Sequence, residues 1–129
     1  MPGIRMIVIA AVASVLLSAC AAGGFLNNQP RQAEQKLTCG VFSYEDGDYK
    51  IAIAGLQNAL DSGLRSKGDQ VRAHKYLAFI HCIAGDQEQC REEFKKALMI
   101  DPSFDLSPSE AGHPMWGPVF RNEKATFAK

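Results

Sequence analysis

Neither sign of charge is in excess in this chain: fourteen Lys and Arg stand against fourteen Asp and Glu. That leaves no basic footprint for a nucleic acid. The apolar run from Met6 to Leu17 is too short for a comfortable membrane span. Catalytic patterns are missing as well. No Ser–His–Asp set has its nucleophile in a recognisable turn. The one Gly-Gly pair, Gly23-Gly24, sits in a small, polar stretch rather than in a phosphate-cradling loop. The chain is therefore not expected to be an enzyme, and neither a cofactor nor a small-molecule substrate is indicated. With 129 residues and ordinary apolar content, one small domain is expected.

The chain opens as an export signal does. "MPGIRMIVIAAVASVLLSAC" has one cation, Arg5, followed by the short apolar run. It closes on Leu17-Ser18-Ala19-Cys20, which resembles the bacterial lipobox; an ordinary secretory signal with an incidental Cys is the alternative. The resemblance implies that cleavage leaves Cys20 as the new N-terminus, with its thiol linked to diacylglycerol and the chain acylated, for instance with palmitate. Each buried methylene adds about 0.8 kcal/mol, so several acyl chains anchor firmly. Residue 21 is Ala rather than Asp, which by the lipoprotein sorting pattern implies the outer membrane, facing the periplasm. Export also speaks against a nucleic-acid partner. Residues 1–19 are then a signal peptide and 20–30 a flexible lipidated tether.

An internal repeat follows. "CGVFSYEDGDYKIAIAGLQNAL" aligns with "LAFIHCIAGDQEQCREEFKKAL" at a constant offset of 38 residues. Gly40 falls on Ala78, Gly47-Asp48 on Gly85-Asp86, Ala52 on Cys90, Leu56 on Phe94, and Ala59-Leu60 on Ala97-Leu98. Small residues recur where helices must approach closely, and large apolar ones where a gap must be filled. The pattern resembles the tetratricopeptide repeat, a helix–turn–helix of 34 residues, with the four extra residues in "SGLRSKGDQ". The second unit ends on Asp101-Pro102, the usual close of such a repeat; the first has Leu64 in place of the Pro.

Local signals fit these helices. Pro30 suits a first turn. Asp48 and Asp86 are expected to cap the second helix of each pair, and Asp69 the third helix. Ile53, Leu56, Ala59 and Leu60 share one face, as do Ala73, Leu77, Ile80 and Ala84. Residues 31–102 thus read as two tetratricopeptide-like hairpins. Three or more stacked repeats are usually needed for stability, so an apolar face is left at the end of the stack.

Residues 103–129 are the candidate cover. Ser107-Pro108-Ser109-Glu110 reads as a capping box with Pro in the first turn. Gly112 is expected to end that turn in a left-handed conformation. Pro114 is expected to start a helix through Trp116, Val119 and Phe120 towards Phe127. Trp116, the only tryptophan, is the main apolar body, with Phe104 and Phe120 beside it. The expected architecture is all-α: two hairpins plus a C-terminal capping helix. The rival reading makes the segment an exposed docking peptide carried by Trp116.

"LAFIHC", a second Cys eight residues on, and "DPSFDLSPSEAGHPMWGPVF" together resemble the TssQ family of type VI secretion-associated lipoproteins. The likeness covers the second repeat, the tail and the lipidated start. It implies an accessory of the type VI secretion apparatus that binds protein partners of a secretion or envelope complex. A repeat lipoprotein serving pilus or β-barrel assembly is the alternative. The expected docking surface is the groove made by the first helix of each pair, with Tyr44, His74, Lys75 and His81; Trp116 joins them if the tail is exposed.

The periplasm is oxidising, which makes the cysteines informative. Cys82 lies near the end of one helix and Cys90 near the start of the next, where a tight hairpin can bring them within bridging range. Two buried free thiols are the alternative, and Cys39 is expected to stay free and buried. A zinc site from His81, Cys82 and Cys90 lacks a fourth ligand; the same residues make a thiol or metal sensor the third functional reading. Glu92 and Glu93 beside Lys95 and Lys96 read as a solvated helix face.

Overall fold

The computed structural model describes residues 29–129. Six helices follow one another: α1 (Gln29–Glu45), α2 (Tyr49–Asp61), α3 (Lys67–Ile83), α4 (Gln87–Ile100), α5 (Pro108–Ala111) and α6 (Gly117–Phe127). No strand occurs among the described residues. None of their helices is long and apolar enough to cross a membrane. The chain is all-α. α1 pairs with α2 and α3 with α4; α2 and α1 also meet α3, and α6 lies on α4. α1 already begins at Gln29, inside the stretch expected to be tether, with Pro30 in its first turn.

The two hairpins turn by one device. Gly47 and Gly85 have φ of +80° and +83°, a region that costs glycine nothing and other residues much. The Asp that follows each one caps the next helix. Asp48 accepts the amide N–H of Ile51, and Asp86 that of Gln89. The third helix is capped otherwise than expected. Ser66, not Asp69, accepts at its N-terminus, from the Asp69 N–H at 2.9 Å. Asp69 sits in the first turn, where its charge faces the positive end of the helix.

The hairpins differ at their crossings. In the first, the backbones of α1 and α2 nearly touch. A Cβ on Gly40 would lie 2.9 Å from Leu56 Cγ, and one on Gly55 would lie 3.1 Å from the Cα of Gly40. In the second, Ala78 replaces Gly40, and the residue 38 positions beyond Gly55 is Glu93. The second pair of helices thus accommodates a carboxylate where the first has no side chain at all.

Two core clusters result. Ala33, Leu37, Val41, Ala52, Leu56, Ala59, Ala73, Leu77 and Ile80 fill the first, between α1, α2 and one side of α3. Ala84, expected on that face, is instead the exposed C-cap of α3. The second cluster joins Phe79, Cys82, Cys90, Phe94 and Leu98 to three residues of the tail, Leu106, Trp116 and Phe120. The open end of the stack is therefore closed by residues 103–129. Phe104 packs edge-on to Phe120 (5.4 Å between centroids), and Phe120 edge-on to Phe94 (5.2 Å).

Two tail expectations are corrected. The last helix starts at Gly117, not Pro114. Pro118 explains the shift: inside a helix begun at residue 114 its ring would press on the preceding turn, whereas in the first turn it costs nothing. The turn before it is held by the Gly117 N–H donating to His113 O at 2.8 Å. Gly112 is right-handed, with φ of −80° and ψ of −5°, so the four-residue α5 ends in an ordinary turn. The capping box before it is complete: Ser107 Oγ accepts from the Glu110 N–H, and Glu110 Oε2 from the Ser107 N–H.

Trp116 is 6 % exposed. Replacing a buried Trp with Ala costs about 3–5 kcal/mol, out of about 5–15 kcal/mol for a domain. Trp116→Ala is therefore expected to lower the urea midpoint of the intact protein markedly. A midpoint equal to that of the wild type would show that the tail is not a lid.

Candidate docking surfaces

The residues expected to form one docking surface fall into separate environments. Tyr44, in the last turn of α1, joins a cluster of half-buried tyrosines. Its ring lies 5.8 Å from Tyr49, 5.0 Å from Tyr76 and 6.3 Å from Phe79. Burial, reinforced by Tyr49, Tyr76, Glu110 and Glu45, pushes its hydroxyl up to about 12. The phenol is thus a neutral hydrogen-bonding group at any physiological pH.

Lys75 belongs to the same face. Its Nζ donates to Glu110 Oε1 at 2.7 Å and stands 4.9 Å from the Tyr76 ring and 5.7 Å from that of Phe79. Arg72 also lies over the Tyr76 ring, 6.0 Å from its centroid. Burial works to raise the Glu110 carboxyl. The hydrogen bonds from Lys75 and Ser107 outweigh it and hold the group below the usual range. Here the helix-capping carboxylate of α5 is also the counter-ion of α3.

His74, one residue away, points elsewhere. Its Nδ1 is 2.6 Å from Glu93 Oε2, and Glu93 Oε1 accepts from Lys96 Nζ at 2.8 Å. This group sits in a cleft of about 380 Å³ between α2, α3 and α4, lined further by Gln57, Leu60, Asp61 and Leu77. Glu93 overturns an expectation. It is not on the solvated face but 7 % exposed, while Glu92 and Lys95 remain at the surface. The signal lay in the repeat itself. The 38-residue offset places Glu93 on Gly55, an inward position at a helix crossing, so a carboxylate there had to find partners inside.

Trp116 is withdrawn from any role as an exposed docking group. Phe79 stacks on it at 4.1 Å and His113 at 3.4 Å, both nearly parallel. Two rings cannot share one face at such distances, so the indole lies between them. Its Nε1–H donates to Glu110 O at 2.9 Å. His113 Nδ1 accepts the Met115 N–H at 3.2 Å, which fixes the imidazole against the indole. Sequence reading missed His113; its place three residues before Trp116 in "HPMW" was the available signal.

His81 lies half-buried in the last turn of α3. The Cys82 and Cys90 sulfurs beside it are bonded to each other at 1.97 Å, and both residues are fully buried. A sensor made of His81, Cys82 and Cys90 would need thiolates, which a bridged pair does not offer. Among the described residues no group of three or more His, Cys, Asp or Glu is placed to hold a metal ion. Cys39 is not the free buried thiol expected of it. It is disulfide-bonded and half-buried.

Burial tends to raise the Glu93 carboxyl, yet the hydrogen bonds and charges of His74 and Lys96 bring it below its ordinary value. A group lowered on folding stabilises the fold above its unfolded value, near 4.3 for glutamate. That stability is lost as pH falls through the lower folded value. Denaturation of the wild type and of Glu93→Gln should therefore converge as pH drops below about 4. Curves that stay parallel from pH 7 to 3 would remove Glu93 from the stability of the second hairpin.

Compared with protein-family models, curated proteins and solved structures, the chain gives no match to any of them.

Proposed function

We propose that this chain is a lipid-anchored docking protein at the inner face of the outer membrane, an accessory of a type VI secretion apparatus. The observation that supports docking best is the cluster of Tyr44, Tyr49 and Tyr76. The three are half-buried, in ring contact, and flanked by Lys75 and Arg72. Tyrosine and arginine give a protein contact large area and hydrogen bonds at low entropic cost, which is why they dominate interface hot spots. Packing against Phe79 holds this face rigid before any partner arrives.

The anchor rests on Leu17-Ser18-Ala19-Cys20, which lies outside the described residues. Its part in the mechanism is confinement. A lipid at the N-terminus restricts the docking face to a layer beside the membrane and raises its effective concentration towards a membrane-bound partner. The secretion assignment rests on the likeness of "LAFIHC" and "DPSFDLSPSEAGHPMWGPVF" to the TssQ family.

Cys20→Ser is expected to release the protein from the outer-membrane fraction without changing its melting curve. Retention of the variant would mean that something else holds it there. Mass analysis of the wild-type N-terminal peptide gives a second test, because one sulfur cannot carry both a thioether and a disulfide. Diacylglycerol on Cys20 supports the anchor; a Cys20 peptide linked to the Cys39 peptide refutes it. For the docking face, Tyr76→Ala should abolish crosslinking to envelope partners while Met99→Ala, at a separate exposed position, leaves it intact.

A further inference from the structure

The chemistry of the tyrosine face narrows the kind of peptide it fits. Among the described residues, the hydroxyls of Tyr44, Tyr49 and Tyr76 neither donate to nor accept from any other group. No buried side-chain oxygen or nitrogen among these residues goes without a hydrogen bond, so all three hydroxyls reach the surface. Their rings are inclined to one another, Tyr44 by 39° to Tyr49 and by 63° to Tyr76. Inclined rings make recesses rather than one flat platform. The charges beside them balance. Lys75 and Arg72 stand over the Tyr76 ring, and Glu110 and Glu45 act on Tyr44. Lys75 is paired with Glu110, while Arg72 and Glu45 have no ion pair among the described residues. The open donors are three phenols, the Arg72 guanidinium and what Lys75 has left; the open acceptors are the phenol oxygens and the Glu45 carboxylate.

A peptide meets a protein surface in three common backbone forms. An added strand needs a sheet edge, and the described residues have no strand. A helix uses its carbonyls on its own N–H groups, so its backbone brings nothing to hydroxyls that are free to donate. A polyproline II segment keeps every carbonyl free. Its proline rings are stiff, apolar and without an N–H that would need an acceptor.

We propose that the tyrosine face binds an uncharged, proline-rich segment of a protein partner in the polyproline II conformation. The pyrrolidine rings lie in the recesses between Tyr44, Tyr49 and Tyr76, and the phenol hydroxyls donate to the carbonyls between them. A face of balanced charge selects no charged motif, and a segment that is already extended loses little entropy on binding. The inference rests on the docking reading for its site, but not on the anchor or on the secretion system.

The test is a titration of the intact protein with decaproline, followed by calorimetry and by the ring ¹³C signals of the tyrosines. Saturable shifts at Tyr44, Tyr49 and Tyr76 are expected. Tyr44→Phe and Tyr76→Phe keep the ring and remove only the hydroxyl. Each should keep the wild-type melting curve and bind decaproline about fivefold more weakly, the loss typical of one neutral hydrogen bond. All-D decaproline, whose backbone has the opposite hand, should not saturate. Failure of decaproline to saturate, shifts confined to other residues, or wild-type affinity in both Phe variants would overturn the proposal. So would equal binding of the all-D peptide, or tighter binding of an alanine-rich helical peptide of the same length. If decaproline fails while Tyr76→Ala still abolishes crosslinking to envelope partners, the docking face stands and its ligand is of another kind. If crosslinking survives Tyr76→Ala, the docking reading itself falls.

Discussion

The ring of Phe79 joins everything in the second half of the molecule. It lies stacked on Trp116 and packs against Tyr44, Tyr76 and Phe94. One side chain thus links both hairpins, the tyrosine face and the tail. The constraint behind it is the shortness of the stack. Two hairpins have two ends, and an end helix carries an apolar face whether or not another helix follows. A third repeat would supply that cover at the cost of a full unit. Here a loop, one turn of helix and an eleven-residue helix do so. Their large side chains, Leu106, Trp116 and Phe120, carry most of the burial.

The two hairpins solve one packing problem in different ways. Gly40 and Gly55 let the backbones of α1 and α2 approach until van der Waals contact fixes the crossing. In the second hairpin the Cys82–Cys90 bridge ties α3 to α4 near the turn. Glu93, paired with His74 and Lys96, occupies the crossing itself. A covalent tie close to the turn restricts how far the helices can part, which offsets the weaker packing around a buried ion.

Much of this was legible in the sequence where local chemistry decides the outcome. The Gly-Asp turns at 47–48 and 85–86 were legible because a positive φ and a cap have few solutions. The Ser107–Glu110 capping box was legible for the same reason. Errors came where two local rules compete. At the third helix Ser66 and Asp69 are both good caps, and the helix begins at the earlier one. At the tail, Pro114 and Pro118 can each open a helix, and only the later choice spares a proline in the interior. Glu93 was misread for a different reason. Its neighbours Glu92, Lys95 and Lys96 suggest a solvated face, whereas its exposure is set by its place at the crossing, a tertiary fact that charge patterning does not contain. The division of Tyr44 and Lys75 from His74 was likewise beyond the sequence, since Lys75 and His74 are adjacent and only the partners on α5 and α4 separate them.

The lid and the tyrosine face are one mechanical unit. Glu110 closes the capping box of α5, accepts from Lys75, and through its backbone carbonyl accepts from the indole of Trp116. Lys75 in turn stands over Tyr76 and Phe79. Loosening the tail would therefore remove the counter-ion that positions Lys75, and with it the order of the tyrosine face. The reverse also holds. A partner that packed on Tyr44 and Tyr76 would stabilise the arrangement in which Glu110 is bound and the tail closed, because whatever binds one state preferentially raises its population. The segment that makes so short a stack stable is by the same contacts the segment that keeps its tyrosine face in shape.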